Sequence, residues 1–349
     1  MKGTQQMKRI LQGGVTFLIV CLMLFVVGIA AVSPQESPKS VTIGATTLKG
    51  SFYPIATGWA QQLKKHANIS GTPLAVGSSG AIASLVGKGK LQLGPCGSET
   101  IHDAHYGTGS FAEQGKQPIL AIMSGHYRIF QLYVRADSPF KSPEDIRGKR
   151  FMYWQAGAPA NMNWGKLLVE AYGIKENEYT RLDWKSTGAC AEAVKEGRTD
   201  FGFSGAAPTA ALVELSRTAG VRFIPISEKA QQYIAKNYAP FEPGFVPKDI
   251  YGPGVPPEDI RSITIRVWLI ARADLPEDFV YDATRVILDY PDEFNKYHKL
   301  CAQYTDLKRA TKDPIIPFHP GAIKYYKAKG LWGDEQEKAQ QALLKKGSQ

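Results

Sequence analysis

The sequence predicts an α/β protein built from two interleaved lobes. Short β-rich runs alternate with longer amphipathic runs after residue 40, which is typical of βα units and largely parallel sheets. The order of these runs repeats at a separation of about 108 residues. Two further apolar runs, residues 129–134 and 263–270, each end in Arg-Ala-Asp and are predicted to carry the chain to the second lobe and back. We therefore expect two similar lobes joined by two hinge strands, which can close around a ligand.

The elements of the first lobe follow in order along the chain. A strand is predicted at Val41–Ala45, and apolar residues at helical spacing from Phe52 to Leu63 then indicate an amphipathic helix. Predicted strands at Leu74–Val76 and Leu91–Leu93 each lead into another helix, the last from about Ser98 to Tyr106. This alternation predicts parallel strands with helices packed against them.

The same order recurs downstream with glycines at equivalent turns. Chance similarity is the alternative explanation, because glycine is common wherever a helix ends. A constant separation without gaps favours a true repeat. The matched segments are Ser79-Gly80-Ala81 with Thr187-Gly188-Ala189, Gly89–Gly94 with Gly197–Gly202, and Gly94-Pro95-Cys96-Gly97 with Gly202-Phe203-Ser204-Gly205.

The N-terminal segment predicts export. Residues 1–32 carry three basic residues ahead of the apolar run Val15–Val32 and contain no acidic residue, as in a secretory signal peptide. Cleavage is expected near Ala31–Ser33, with residues 33–39 as a polar spacer. An uncleaved anchor is the alternative, because a run of about 18 apolar residues is at the lower limit for crossing a bilayer. Either reading predicts that the rest of the chain lies outside the cytoplasm.

The remaining chain is divided between the lobes, and its composition excludes several classes of protein. Residues 40–134 are predicted to form lobe I, 135–250 lobe II, and 251–349 the return strand and C-terminal helices, mainly of lobe I. The predicted mature part keeps three cysteines, Cys96, Cys190 and Cys301, and this odd number at wide spacing excludes a disulfide scaffold. The net charge of +10 comes from scattered Lys and Arg, so nucleic acid is not an expected partner. We expect a monomer.

Loops rich in small residues follow the predicted strands. Helix N-termini at such loops present unpaired N–H groups, and two facing sets would cradle a small anion. N-caps and tight turns need the same residue types, so a single loop has an ordinary structural explanation. The loops span residues 46–51, 78–80, 96–98, 155–159, 186–188 and 204–205.

Longer side chains near these loops are candidates for specificity. Lys49 or Arg128 could pair with a ligand carboxylate through a charge-assisted hydrogen bond. Gln155 and Asn161 could add amide hydrogen bonds. Each nearby aromatic residue has a structural alternative in the core, because rings bury much apolar area. These aromatic candidates are Phe52, Tyr53, Tyr127, Trp154, Trp164 and Trp184.

Patterns typical of catalysis are incomplete. Cys96 and Ser204 lie in segments that resemble a nucleophile elbow but lack the closing glycine of GxSxG. They also occupy equivalent positions in the repeat, and a nucleophile is needed once whereas a cradle can be built twice. His102 and His105 are followed by no third ligand. We therefore expect no enzyme, no cofactor and no metal site.

The order of several motifs over residues 40–330 resembles one family, the TAXI-type solute receptors of tripartite ATP-independent periplasmic (TRAP) transporters. Several loops depart from the pattern of that family, so the resemblance assigns no particular ligand. The motifs that carry it are Val41–Gly44, Gly50–Pro54, Ser78–Gly80, Ala104–Phe111, Val134–Ser138, Ser142–Arg150, Gly205–Ala211, Ala271–Pro276, Phe318–Ala322 and Tyr325-Tyr326.

The resemblance implies a type II fold like that of periplasmic binding proteins. It also implies a periplasmic receptor that closes on a small carboxylate-type anion and delivers it to a TRAP-type membrane permease. The alternatives are an exported enzyme that uses Cys96 or Ser204 and a membrane-anchored sensor ectodomain. The predicted ligand-binding residues are Thr47, Lys49, Ser51, Phe52, Tyr53, Ser78, Ser79, Gly80, Cys96, Gly97, Ser98, Gln155, Ala156, Gly157, Ala158, Asn161 and Ser204.

Overall fold

A computed structural model describes residues 37–46, 48, 51–154 and 159–347. The described residues from Pro38 onward group into one compact unit. The predicted signal peptide, and the loop residues Thr47, Lys49 and 155–158, lie outside the described residues. In the part of the chain that is described, no helix is both long enough and apolar enough to cross a membrane.

Ten strands form the central sheet, and twelve α-helices pack around it in the described part of the chain. The strands are β1 Ser40–Ala45, β2 Ser70–Ala75, β3 Leu93–Gly97, β4 Ile119–Arg135, β5 Arg150–Trp154, β6 Thr180–Asp183, β7 Phe201–Ser204, β8 Val221–Phe223, β9 Phe241–Val246 and β10 Ile260–Arg272. The helices are α1 Phe52–Ala67, α2 Ser79–Gly87, α3 Ser98–Tyr106, α4 Pro159–Ala171, α5 Thr187–Lys195, α6 Ala210–Thr218, α7 Glu228–Asn237, α8 Glu277–Leu288, α9 Pro291–Phe294, α10 Leu307–Ala310, α11 Pro320–Ala328 and α12 Asp334–Gly347. Short 3₁₀ turns lie at Gly109–Phe111, Pro143–Ile146, Glu176–Glu178 and Lys299–Gln303.

The strand order β2-β1-β3-β10-β4-β7-β5-β6 has the same pattern in both halves. In the first half β1 runs parallel to β2 and β3, and β10 runs antiparallel to β3. In the second half β5 runs parallel to β6 and β7, and β4 runs antiparallel to β7. The predicted repeat of βα units is therefore present in the fold.

The helices that follow β2 and β6 show the repeat at the level of single hydrogen bonds. Ser78 caps α2 by accepting a hydrogen bond from the Ala81 N–H at 3.1 Å, and Ser186 caps α5 in the same way from the Ala189 N–H at 3.1 Å. Serine is a preferred N-cap because its oxygen satisfies an N–H that has no partner within the helix. The two caps are separated by the predicted spacing.

Two long strands cross between the halves, as predicted. The 17-residue β4 pairs with β10 along most of its length, and its last residues pair with β7 and β8. The return strand β10 begins against β9 and ends against β3. Because both strands contribute to both halves, the lobe limits at residues 134 and 250 stay a prediction.

The third strand differs from its prediction. It spans Leu93–Gly97 and is buried throughout, whereas the sequence predicted a strand at Leu91–Leu93. Glycine, proline and cysteine give little β-propensity, but antiparallel pairing of residues 93–97 with β10 imposes the extended conformation. Cys96 and Gly97 therefore belong to the strand rather than to a loop.

Separate apolar clusters fill the two halves. The first lies around β1, β3 and α1 and includes residues of α8 and α11, so the C-terminal helices pack with the N-terminal half. Trp59 of α1 is fully buried in it, and its indole N–H donates to the Ala283 carbonyl oxygen at 2.8 Å. Two other clusters lie around β5, β7 and the helices of the second half.

Candidate ligand-binding site

A cavity of about 530 Å³ lies where the two halves of the fold meet the crossing strands. We call it the cleft cavity. Its volume falls in the range of small-molecule sites. The residues that line it are Thr46, Ser51, Phe52 and Ser79 from the first half, His126–Arg128 from β4, Ala206–Ala210 from the second half, and His298–Leu300.

Arg128 is held by contacts with both halves. Its Nη1 lies 3.0 Å from Oε1 of Glu99 in α3, and its Nε donates to the carbonyl oxygen of Gly205 at 3.3 Å. The Glu99 side chain is only 6% exposed, while that of Arg128 is 27% exposed. The arginine therefore keeps part of its surface free to meet a ligand.

Tyr127 forms another part of the wall and lies near two arginines. The guanidinium carbons of Arg309 and Arg266 lie 4.6 and 5.3 Å from its ring centroid. Arg266 Nη2 also donates to the Tyr127 hydroxyl at 3.1 Å. Burial raises the pKa of Tyr127. The ring is thus fixed in position as a neutral side chain.

His126 is almost completely buried, and its Nδ1 lies 2.8 Å from the Tyr304 hydroxyl. Burial, reinforced by the positive charges of Arg128 and Arg309 and by His298, lowers the pKa of His126 to about 3. The imidazole is therefore neutral at physiological pH and can offer a ligand a hydrogen bond without adding charge.

Three helices begin at the cleft cavity. Ser51 precedes α1, Ser79 is the first residue of α2, and Thr209 caps α6. None of the three has an acidic residue in its first turn. Because a helix N-terminus carries a partial positive charge and unpaired N–H groups, each adds a favourable field for an anion.

The described lining holds two cationic side chains and no carboxylate, although Arg128 is paired with Glu99, which lies outside the lining. Arg128 and Lys299 contribute to the wall, and no Asp or Glu is among the described residues that line it. The Glu99 carboxylate that pairs with Arg128 is buried and is not among the lining residues. The electrostatics of the cavity favour an anion.

Several of the predicted ligand-binding residues line or border this cavity. Ser51, Phe52 and Ser79 line it. Tyr53 lines a neighbouring cavity of about 370 Å³ together with Ser51. Ser78 uses its hydroxyl as the cap of α2, and Gly80 follows in the first turn of that helix. Thr47, Lys49, Gln155, Ala156, Gly157 and Ala158 lie outside the described residues.

Another group of predicted residues is buried behind the wall. Cys96 is fully buried, and burial raises the pKa of its thiol well above the usual value. The Ser98 hydroxyl donates to the Arg266 carbonyl oxygen at 2.8 Å, and the fully buried Ser204 donates to that of Ala206 at 2.9 Å. These side chains stabilise the strand ends. A Cβ on Gly97 would collide with Glu99.

Asn161 and Arg128 approach each other around Gly205. A Cβ added to Gly205 would lie 3.2 Å from both Asn161 Oδ1 and Arg128 Nη2. The absence of a side chain at this position lets the amide and the guanidinium come close together. Asn161, which lies in α4 and is largely buried, therefore lies near Arg128.

Sequence reasoning missed three parts of the lining. His126 stands in a polar triplet, His126-Tyr127-Arg128, that interrupts an otherwise apolar strand, and this interruption could have identified it. Residues 206–210 belong to a motif of the family resemblance but were not predicted as lining, and residues 298–300 carry no signal, because a short basic turn is common on any surface. Their place in the wall depends on the tertiary fold.

Solved structures with a similar fold include those of two other proteins. PhnD1 from Prochlorococcus marinus, in complex with methylphosphonate, has a TM-score of 0.52 and 12% sequence identity over 84% of this chain and 97% of that chain. XAC2383 from Xanthomonas citri, in structures bound to chloride ion and to ATP, has a TM-score of 0.50, 12% identity and the same two coverages. The predicted two-lobed, type II architecture like that of periplasmic binding proteins is confirmed.

A comparison with protein families finds a match over most of the chain. One family, described as the NMT1-like family, matches residues 43–330, which is most of the chain and includes every strand except the start of β1. This match covers both halves of the sheet and the whole described lining of the cleft cavity. The chain therefore belongs to the NMT1-like family.

Proposed function

We propose that this protein is a periplasmic solute-binding protein that captures a small organic anion of the carboxylate type between its two lobes. The observation that carries the proposal is the cleft cavity, which is lined from both halves and presents Arg128 and Lys299 without a carboxylate in its described wall. A ligand in this position would contact both lobes and the crossing strands at once. Binding would then favour the closed arrangement of the lobes.

Arg128 would make the main electrostatic contact with the anion. Two of its guanidinium nitrogens, Nη1 and Nε, are already engaged by Glu99 and Gly205, which fixes the direction of the group. The N–H groups of the remaining nitrogen, Nη2, can donate to an anion, and hydrogen bonds to a charged acceptor are strong. The N–H groups that begin α1 and α2 would also donate hydrogen bonds to the anion.

Family membership and fold support a receptor rather than an enzyme. Of the two nucleophiles considered from the sequence, Cys96 is fully buried with a raised thiol pKa, and the Ser204 hydroxyl is fully buried and donates to a backbone carbonyl. Neither side chain is among the described residues that line the cleft cavity. We further propose that the bound anion is delivered to a TRAP-type membrane permease, as the sequence resemblance implies.

Ligand binding by the purified protein tests the proposal. Melting temperature would be measured with a panel of carboxylates, and each hit would be compared with its neutral amide by calorimetry. We expect at least one carboxylate to raise the melting temperature while its amide does not, since saturation at 100 times Kd adds about 2.7 kcal/mol of stability. Equal binding of acids and amides, or no binding by any acid, would refute an anion receptor.

A further inference from the structure

A second cavity of about 510 Å³ adjoins the cleft cavity. We call it the apolar chamber. Tyr127, Ala207, Pro208, Lys299 and Leu300 line both cavities, so the two meet at these residues. One molecule could therefore extend from the cleft cavity into the apolar chamber.

The two cavities differ in chemistry. Away from the shared edge, the apolar chamber is lined mainly by apolar or uncharged groups, including Ile129, Pro243, Phe245, Pro247 and Ile250. The only charged side chain among its described lining residues is that of Lys299, at the shared edge. Arg128, which makes the cleft cavity cationic, does not line the chamber.

The chamber also leaves apolar surface in contact with water. Phe245 is 46% exposed on β9, which pairs only with β10 in the described sheet. Pro243 and Pro247, on the same segment, are exposed as well. Burial of such surface by an apolar ligand group is favourable in proportion to the area removed from water.

We propose that the ligand carries an alkyl or aryl extension beside its anionic group, and that the apolar chamber binds this extension while the cleft cavity holds the anion. The inference rests on the proposed function and specifies its substrate class: amphiphilic organic acids rather than compact ones. Cavity size agrees with this assignment, because each cavity alone reaches the volume of a small-molecule site.

The test is a chain-length series of straight-chain carboxylates, from butanoate through hexanoate to octanoate, measured by calorimetry. Each methylene that enters the chamber should tighten binding about three- to fourfold, as expected for a buried CH₂ group. Phe245→Asn removes an apolar wall without adding charge. It should weaken octanoate about tenfold while butanoate changes less than twofold.

Two control variants separate the chamber from general damage to the fold. Phe245→Leu keeps an apolar wall and should retain most of the gain with chain length. Leu307→Asn makes the matched change at an apolar residue that is 41% exposed and does not line the chamber, and it should leave the series unchanged. An equal loss for butanoate and octanoate in Phe245→Asn would overturn the proposal.

The outcomes also separate this inference from the proposed function. If butanoate binds and octanoate binds no tighter, the apolar chamber takes no part and only the inference fails. If none of these three acids binds but another carboxylate of the panel does, only the inference fails, and if no carboxylate of the panel binds, both fail. A steady gain with length that Phe245→Asn reduces supports both.

Discussion

Arg128 and Glu99 form an ion pair across the junction between β4 and α3, with 3.0 Å between Nη1 and Oε1. The other carboxylate oxygen, Oε2, is buried without a hydrogen-bond partner among the described residues. The same guanidinium donates to Gly205 in the second half. A single side chain thus neutralises a buried carboxylate, contacts the second half of the fold and offers a cation to the cleft cavity.

Arg128→Gln should therefore weaken binding of an anionic ligand by roughly ten- to a hundredfold. A hydrogen bond to a charged group contributes about 1.5–3 kcal/mol, and glutamine supplies no charge. The same change leaves Glu99 buried without its counter-charge and should lower the free energy of unfolding by about 2 kcal/mol, the cost of a buried polar group that loses its partner. Calorimetry and urea denaturation measure the two effects.

The double variant Arg128→Gln with Glu99→Gln separates the effect on ligand affinity from the effect on stability. Removing both charges should restore most of the stability, because no unpaired carboxylate remains buried. Ligand affinity should stay low. Recovery of affinity in the double variant would show that Arg128 acts only by compensating Glu99, and would contradict its role as a ligand contact.

The parts of this site that the sequence could predict are those set by local chemistry. The serine caps at Ser78 and Ser186 follow from residue preferences at helix N-termini, and the constant spacing between them reveals the repeat. Ser51 and Ser79 could be placed at the cavity because parallel strands end at one edge of a sheet.

The remainder depends on long-range packing. The sequence pattern places Cys96, Ser98 and Ser204 in loops. In the structure, pairing of β3 with β10 buries Cys96, and the Ser98 hydroxyl donates to the carbonyl oxygen of Arg266 in β10. Leu300 reaches the cavity from a segment far along the chain. No periodicity or motif encodes such distant contacts, so the sequence alone could not place these side chains.

The two matched caps give a prediction about stability. Ser78→Ala and Ser186→Ala should each lower the free energy of unfolding by about 1 kcal/mol, because each removes an equivalent 3.1 Å hydrogen bond to a helix N–H. Urea denaturation of both variants measures the losses. A loss at only one of the two positions would contradict their equivalence in the repeat.

Cys96 should be unreactive in the folded protein. Its thiol is fully buried, and burial, together with the nearby Glu99 carboxylate, raises the pKa of the thiol, so little thiolate is present at neutral pH. Treatment with iodoacetamide followed by peptide mass analysis should show modification of Cys96 only after unfolding. Rapid labelling of the folded protein would instead support an exported enzyme with Cys96 as nucleophile.

Stability should fall as the pH drops below about 6.5, in part because of His126. Its pKa is about 3 in the folded protein, whereas in the unfolded chain it is close to the ordinary value of about 6.5. Above pH 6.5 His126 is neutral in both the folded and the unfolded chain, so its full contribution to stability is present. As the pH falls toward 3, the unfolded chain takes up the proton first, so folding is disfavoured.

For a histidine with these two pKa values, the free energy of unfolding falls by about 2 kcal/mol between pH 7 and pH 5. His126→Asn removes the titrating group and keeps an oxygen that can accept a hydrogen bond from the Tyr304 hydroxyl. The variant should be less stable at pH 7 but should lose less stability on acidification. His319, whose pKa is lowered to about 4, contributes to both proteins and cancels in the comparison. If the wild-type protein and His126→Asn gave parallel pH profiles of unfolding free energy, His126 would not be the buried group responsible for the acid destabilisation.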